Sequence, residues 1–416
     1  MDATVRCVDR LTRMHIIYLH QYFNTPEMSG STRSFEVGRR LVAAGHQVDI
    51  ITSWQEPTAR KGWFTTDESG MRVHWLAVRY SNHMNYLARI VAFFRFAIRA
   101  AGRARRVRGD VVFATSTPLT IAIPAVYAAR RRGIPMVFEV RDLWPELPIA
   151  IGALKNPVLR RAARALERFS YSNSAAVIAL SPGMAEGIVR TGYPRERVVI
   201  VPNASDLELF QRDTSHGRAF RRRIGIDDGR ILVGYLGTLG RINGVSYLVQ
   251  VAAALKGDPR FLFLTVGDGQ EREQVAALAR SEGVLDRNFL MLSKIAKAQV
   301  PALLSAVDVA TSLFLPIPQM ESNSANKFFD ALAAGCCVAI NYGGWHAQLL
   351  REAQAGIRLD SDPRRAASDL QALADEPGKI KSAGLNARRL AEEKFSRDDL
   401  AAKIQAVLAG VIGEPR

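Results

Sequence analysis

Lys327 and Asp330 stand three residues apart at the start of a helical pattern, behind the polar loop Glu321-Ser322-Asn323-Ser324-Ala325-Asn326. That spacing puts both side chains on one helix face. An ammonium beside the free amides of a helix N-terminus suits a phosphate, and a carboxylate one turn deeper suits ribose hydroxyls. The plainer alternative makes Asn326 a cap and leaves Lys327 solvated.

Other loops carry matching chemistry. Gly237-Thr238-Leu239-Gly240-Arg241-Ile242-Asn243-Gly244 follows an apolar run, and its glycines and Arg241 suit a diphosphate cradled by amides and met by a guanidinium. Val266-Gly267-Asp268-Gly269 is a tight turn after the next run; structural and functional readings of it stand even. Ile295, past the run 288–292, is counted with these loops. Near the start, His20 to Arg33 contains Gly30 before a helical pattern, where a glycine lets backbone amides approach a phosphate or simply turns the chain ahead of a Ser cap. Glu139-Val140-Arg141-Asp142-Leu143-Trp144-Pro145-Glu146 is a charged cluster after a strand, either a catalytic or acceptor edge or a structural Arg141–Asp142 pair.

These loops need a frame. The chain has 416 residues, enough for two domains, and 48% hydrophobic with 23% charged residues is a globular balance. Strand-like runs at 14–19, 47–52, 72–78, 110–115, 134–140, 175–180 and 197–201 alternate with helical patterns, and runs at 230–236, 261–266, 288–292, 307–313 and 336–341 repeat the plan. Nearly continuous apolar strands separated by helices predict parallel sheets covered on both faces, hence two Rossmann-like, doubly wound α/β domains facing across a cleft. Residues 14–203 form the expected first domain and 204–395 the second. The helix within 396–416 is expected to pack back on the first. Residues 1–13 lack the apolar core of a signal peptide and read as a disordered extension, or as lying upstream of a natural start at Met14.

Composition narrows the function. The net charge of +16 implies polyanionic company or an arginine-rich background, and nothing reads as a nucleic-acid recognition motif. Three cysteines, two of them adjacent, make neither a disulfide framework nor a zinc site and fit a reducing cytoplasm. Asp360-Ser361-Asp362 precedes Pro363 in a turn, so no metal is assigned. No apolar run is long enough to span a bilayer.

The stretches 30–52, 181–210, 237–252, 266–273 and 321–341 together resemble glycosyltransferase family 4, retaining enzymes of GT-B architecture. The branch that looks most similar is that of bacterial O-antigen and capsule N-acetyl-L-fucosamine transferases, with the same SxxNKxFD helix and RDLWPE segment. The resemblance implies a nucleotide-sugar donor, commonly a UDP-sugar, no metal or cofactor, and a polyprenyl-diphosphate-linked saccharide acceptor in lipopolysaccharide or capsule synthesis. It implies donor contacts at Gly30, Gly237, Thr238, Gly240, Arg241, Asn243, Gly267, Asp268, Ile295, Glu321, Ser322, Asn323, Ser324, Asn326, Lys327 and Asp330, and catalytic roles for Arg141, Asp142, Arg241 and Lys327. Asp330 stands at the second glutamate of the family's Glu-x7-Glu pattern, whose first falls on Ser322. The family's Arg and Lys after the second domain's first strand fall on Thr238 and Asn243, which leaves Arg241 and Lys327 to supply the charge. Its His-Asp pair reads Arg141-Asp142.

Residues 84–109 carry seven arginines and no acid, and Leu87, Ile90, Val91, Phe94 and Ile98 recur at helical spacing. Such a helix binds an anionic membrane surface from the cytoplasmic side, or packs on its own domain with an arginine-rich outer face. Two other functions remain open: a GT-B nucleotide-sugar epimerase, which needs a carboxylate pair not evident here, and a non-catalytic nucleotide-sugar binder.

Overall fold

A computed structural model of the chain describes residues 13–28, 30–55, 60–78, 86–226 and 229–413; the expectation for the first thirteen residues therefore falls outside the described residues except at Arg13. The chain divides into two compact units, Met1–Pro202 with Asp398–Arg416, and Asn203–Arg397.

In the first unit the apolar runs become β1 (His15–Leu19), β2 (Gln47–Trp54), β3 (Trp63–Glu68), β4 (Met71–Ala77), β5 (Val111–Thr115), β6 (Met136–Val140), β7 (Ala176–Ala179) and β8 (Val198–Ile200). They form one sheet in the order β3-β4-β2-β1-β5-β6-β7-β8, parallel except for the β3–β4 hairpin. Strands β5, β6 and β7 are buried at every residue, because helices cover both faces. Those helices are α1 (Arg33–Ala43), α2 (Tyr86–Ala104), α3 (Ala122–Arg132), α4 (Glu146–Ala150), α5 (Pro157–Ser172) and α6 (Pro182–Arg190). Sequence reasoning missed β3. It is an edge strand with alternating exposure, so it lacks the continuous apolar run of its neighbours. Its signal was Ser69-Gly70, a two-residue turn in which both residues have positive φ, as a tight hairpin requires.

The second unit holds β9 (Ile231–Leu236), β10 (Phe261–Val266), β11 (Phe289–Leu292), β12 (Val309–Ser312), β13 (Cys337–Ile340) and β14 (Gly356–Arg358). Its sheet runs β11-β10-β9-β12-β13-β14 and is wholly parallel. Counted from the unit's first strand, this is the 3-2-1-4-5-6 order of dinucleotide-binding folds. The helices are α7 (Thr214–Arg223), α8 (Ser246–Ala254), α9 (Arg272–Ser281), α10 (Val300–Ala306), α11 (Asn326–Ala333), α12 (Trp345–Ala353), α13 (Pro363–Asp375) and α14 (Lys379–Lys394). Cys336 and Cys337 are buried where β13 begins. Asp362 caps α13 by accepting the amides of Arg364 and Arg365.

A last helix, α15 (Arg397–Gly413), lies almost wholly in the first unit, where Arg40 Nε meets Asp398 Oδ1 at 2.5 Å.

Of the two readings of 84–109, it is the packed alternative that needs correcting, because the apolar stripe does not face the domain. The inner side of α2 is Ala92, Phe96, Ala97, Ala100 and Ala104, whereas Val91, Phe94 and Ile98 stand exposed. Phe96, outside that stripe, is buried in the domain core.

Candidate functional site

In a doubly wound sheet the ligand end is where the strand order reverses. In the second unit the reversal lies between β9 and β12, and the loops past these strands flank it. Past β9 the chain turns at Gly237 and Gly244 around a short 3-10 turn, Arg241–Asn243. Past β12 it runs through a second such turn, Pro318–Ser322, into α11. This brings Lys327, on the first turn of α11, against Asn243 across 84 positions of sequence.

The Lys327 ammonium donates to Asn243 Oδ1 at 2.8 Å and to Tyr235 Oη at 3.0 Å. It also lies 4.6 Å from the ring centre of Tyr235 and 5.1 Å from that of Phe314. Ring faces and neutral oxygens attract a cation but do not neutralise it. Lys327 forms no ion pair among the described residues, and burial pushes its pKa down to about 7. Ala325 gives the N-terminus of α11 no side-chain cap, so helix and ammonium present positive charge together. The partner that this arrangement lacks is an anion. The solvated-lysine alternative does not hold. Tyr235 and Phe314 were missed in sequence; the only signal was an aromatic at the end of a strand.

Asp330, one turn deeper, accepts the Ser205 hydroxyl at 2.7 Å, and burial raises its carboxyl pKa. Arg241 is exposed and makes no ion pair among the described residues. The carbonyl of Thr238 takes the Tyr235 hydroxyl at 2.8 Å while its side chain is exposed. Gly267 is structural in its packing: a Cβ there would come within 1.9 Å of the Gly237 carbonyl oxygen. The β9 and β10 loops zip together through Gly237 N–Val266 O and Leu239 N–Asp268 O, at 3.1 and 2.9 Å. The Asp268 carboxylate is exposed and takes the amide of Gly269. Gly240 lies in extended backbone before the Arg241 turn, and Ile295 is half-buried past β11. Glu321 and Ser322 end the Pro318–Ser322 turn, with Glu321 packed against Gly343 and Gly344. The Asn323 carbonyl takes the indole N–H of Trp345 at 2.7 Å, and Ser324 Oγ takes the amide of Asn203 at 3.0 Å. Asn326 opens α11.

In the first unit the reversal lies between β1 and β5. Arg141, past β6, donates to Ser31 Oγ at 2.9 Å and lies 3.4 Å from His20 Nε2. A guanidinium can only donate, so His20 Nε2 accepts and the ring proton sits on Nδ1. Burial, then Arg141, hold the His20 pKa well below its usual value, so the ring is neutral. His20 Nδ1 and both amide atoms of Gln21 are buried without a hydrogen-bond partner among the described residues. Asp142 is exposed and accepts the Thr117 hydroxyl at 3.3 Å. The Arg141 and Asp142 side chains thus turn to different partners, and the simple structural pair does not form. Gly30 has φ +131°, and a Cβ would meet Asn24 Nδ2 at 2.6 Å. Ser31 Oγ holds Arg141 at 2.9 Å and also takes, at 3.5 Å, the amide of Arg33, the first residue of α1.

Beneath this loop lies a buried ion pair that sequence reasoning missed. Arg33 binds Glu139 Oε1 through Nε and Nη2 at 3.0 and 2.8 Å, and the carbonyls of Pro202 and Val201 at 2.7 and 3.0 Å. Burial alone would raise the Glu139 pKa, but the guanidiniums of Arg33 and Arg141 and the Thr115 hydroxyl outweigh it and hold the carboxyl low. No signal for this pair exists in sequence, because its members are 106 positions apart.

Comparison with known proteins places this geometry. Residues 30–204 match the Glycosyl transferase 4-like domain, and residues 230–376 match Glycosyl transferases group 1. The chain is 24% identical over 299 residues to the putative colanic acid biosynthesis glycosyl transferase WcaI of Escherichia coli K12, covering 68% of this chain and 73% of that protein. It is 27% identical over 287 residues to the 2-deoxystreptamine glucosyltransferase of Streptomyces kanamyceticus, covering 62% and 70%. Among solved structures, sucrose-phosphate synthase from Thermosynechococcus elongatus superposes with a TM-score of 0.77 at 15% identity, covering 94% of this chain and 97% of that one. Anabaena HepE in complex with UDP and glucose superposes at 0.72 and 15%, covering 96% and 100%. The chain belongs to the GT-B glycosyltransferases that join a 4-like domain to a group 1 domain.

Proposed function

We propose that the protein transfers a sugar from a nucleoside diphosphate donor, a UDP-sugar, with retention at the anomeric carbon and without a metal. The carrying observation is Lys327, a half-buried ammonium at the switch point with no acidic partner among the described residues. Breaking the anomeric C–O bond puts negative charge on the leaving diphosphate, and a preorganised cation there lowers the barrier. Lys327, Arg241 and the uncapped amides of α11 take that role, and Asp330 holds the ribose hydroxyls. Attack comes from the face of the leaving group, with a diphosphate oxygen as base. Arg141 and Asp142 serve the acceptor. The UDP bound in HepE supports the choice of nucleotide.

We further propose that the sugar is an N-acetylated amino or deoxy sugar and that the acceptor is a polyprenyl-diphosphate-linked saccharide in surface polysaccharide synthesis. WcaI is named for colanic acid biosynthesis and WaaG, of the same fold at a TM-score of 0.69, for lipopolysaccharide biosynthesis, which supports this class. Among the described residues no helix is long and apolar enough to cross a membrane, so a lipid-linked acceptor is reached by peripheral docking through α2 at the cytoplasmic surface.

The test is a thermal-shift panel of nucleoside diphosphates and nucleotide sugars. UDP and one or two UDP-sugars should stabilise the protein, and Lys327→Ala should abolish the effect. No shift with any nucleotide, together with a shift from single-stranded nucleic acid, overturns the reading. Product NMR showing inversion overturns the stereochemical part alone.

A further inference from the structure

Most of the large apolar side chains that stand exposed among the described residues lie on three helices of the first unit: Val91, Phe94 and Ile98 on α2, Tyr127 on α3, Val158 and Phe169 on α5. The three helices are neighbours, with α3 packing against both α2 and α5. On α5 the exposed residues Val158, Ala162, Ala165 and Phe169 follow one another at steps of four, three and four, which is one helix face. Exposed Arg161, Arg164 and Arg168 run alongside. On α2 the exposed Arg95 and Arg99 flank the apolar residues, and Arg130 and Arg131 are exposed on α3.

The three helices contain one acid, Glu167, and it is turned inward, buried, with the Tyr171 hydroxyl on its carboxylate. No acid on these helices is therefore exposed to compensate the arginines. The apolar stripe of α2 is not left over from packing on its own sheet, because Phe96, Ala97, Ala100 and Ala104 already make that contact from the opposite side. Apolar side chains set among guanidiniums match one chemistry, a bilayer surface with anionic headgroups: the apolar groups enter the acyl boundary and the guanidiniums meet phosphates.

We infer that α2, α3 and α5 form a single docking face for an anionic lipid bilayer, with α5 as a second contact independent of α2. This rests on the membrane reading above and adds the helix that the sequence pattern did not single out. Two separated contacts fix the orientation of the unit on the surface, whereas one helix leaves it free to pivot.

Co-sedimentation with vesicles of phosphatidylglycerol and phosphatidylethanolamine, against vesicles of phosphatidylcholine, tests it. Wild type should bind the anionic vesicles and be released by salt. The exposed charge reversal R161E/R164E/R168E should lower the partition coefficient at least about tenfold without changing thermal unfolding, and V158S/F169S should lower it less. F94S/I98S, on α2, should weaken binding separately. If the α5 variants bind as wild type while F94S/I98S does not, α5 is no contact and the docking through α2 alone stands. If wild type ignores anionic vesicles, both readings fall. If the α5 variants turn a dimer into a monomer in sedimentation velocity and leave vesicle binding intact, the face belongs to a second copy of this chain and the inference is overturned.

Discussion

Both units place cations where the strand order reverses, and they treat the charge differently. In the first unit Arg33 is buried against Glu139 and two carbonyls, and Arg141 is held by Ser31 beside a neutral His20. In the second, Lys327 has an amide oxygen, a hydroxyl and two ring faces, and nothing negative among the described residues. A cation neutralised at 2.8 Å is part of the framework; one that burial has pushed to about 7 is stabilised only when an anion arrives. The difference separates a charge that builds the domain from a charge that meets a ligand.

The largest expected effect breaks the framework side. Glu139→Ala removes the carboxylate that neutralises the buried Arg33, and should destabilise the first unit by about 3–5 kcal/mol. Urea unfolding followed on that unit measures it; a loss below about 1 kcal/mol would mean that the pair is ornamental.

On the ligand side, Lys327→Ala should leave urea stability nearly unchanged and lower kcat/KM by about a hundredfold or more, the size expected when a group facing transition-state charge is removed. A large stability loss with normal turnover reverses the comparison.

The contrast sharpens with pH. The folded free protein loses the Lys327 proton as pH rises through about 7, while a bound diphosphate restores it. Affinity for a UDP-sugar, whose diphosphate stays fully ionised, should therefore fall by about tenfold per pH unit above that value. Titration calorimetry in buffers of different ionisation enthalpy should show proton uptake on binding. A flat affinity from pH 6 to about 9 contradicts a low Lys327 pKa.

The smallest effect concerns Arg141. Arg141→Lys keeps the charge but cannot reach Ser31 and His20 together, and should cost about tenfold in kcat with little change in donor KM. A change in donor KM would move Arg141 from the acceptor side to the donor side.

The alternating plan of both units was legible before any coordinates. Strands such as Phe261–Val266 are buried on both faces, so their apolar runs are continuous and easily seen. The hairpin strand Trp63–Glu68 was not legible, since an edge strand buries only part of itself. Of the site, the phosphate-like loops stood out by their glycines and by Lys327. The aromatic walls of Tyr235 and Phe314 did not, because an aromatic at a strand end is most often core. The stripe on α2 was read with the right period, but sequence left open whether it meets a bilayer or the domain: periodicity tells which residues lie together, not which side meets the sheet.

By itself, then, the order of residues determined the two-unit α/β plan and the loops that carry polar chemistry, because burial period and turn chemistry are local properties. Only the tertiary structure decided that Lys327 reaches Asn243, where the family carries a lysine in the β9 loop. It also decided that Arg33 is neutralised by Glu139, and that α3 packs against both α2 and α5. Each of those outcomes depends on groups far apart in the chain, and their separation in space is set by how helices pack on a sheet rather than by any pattern along the sequence.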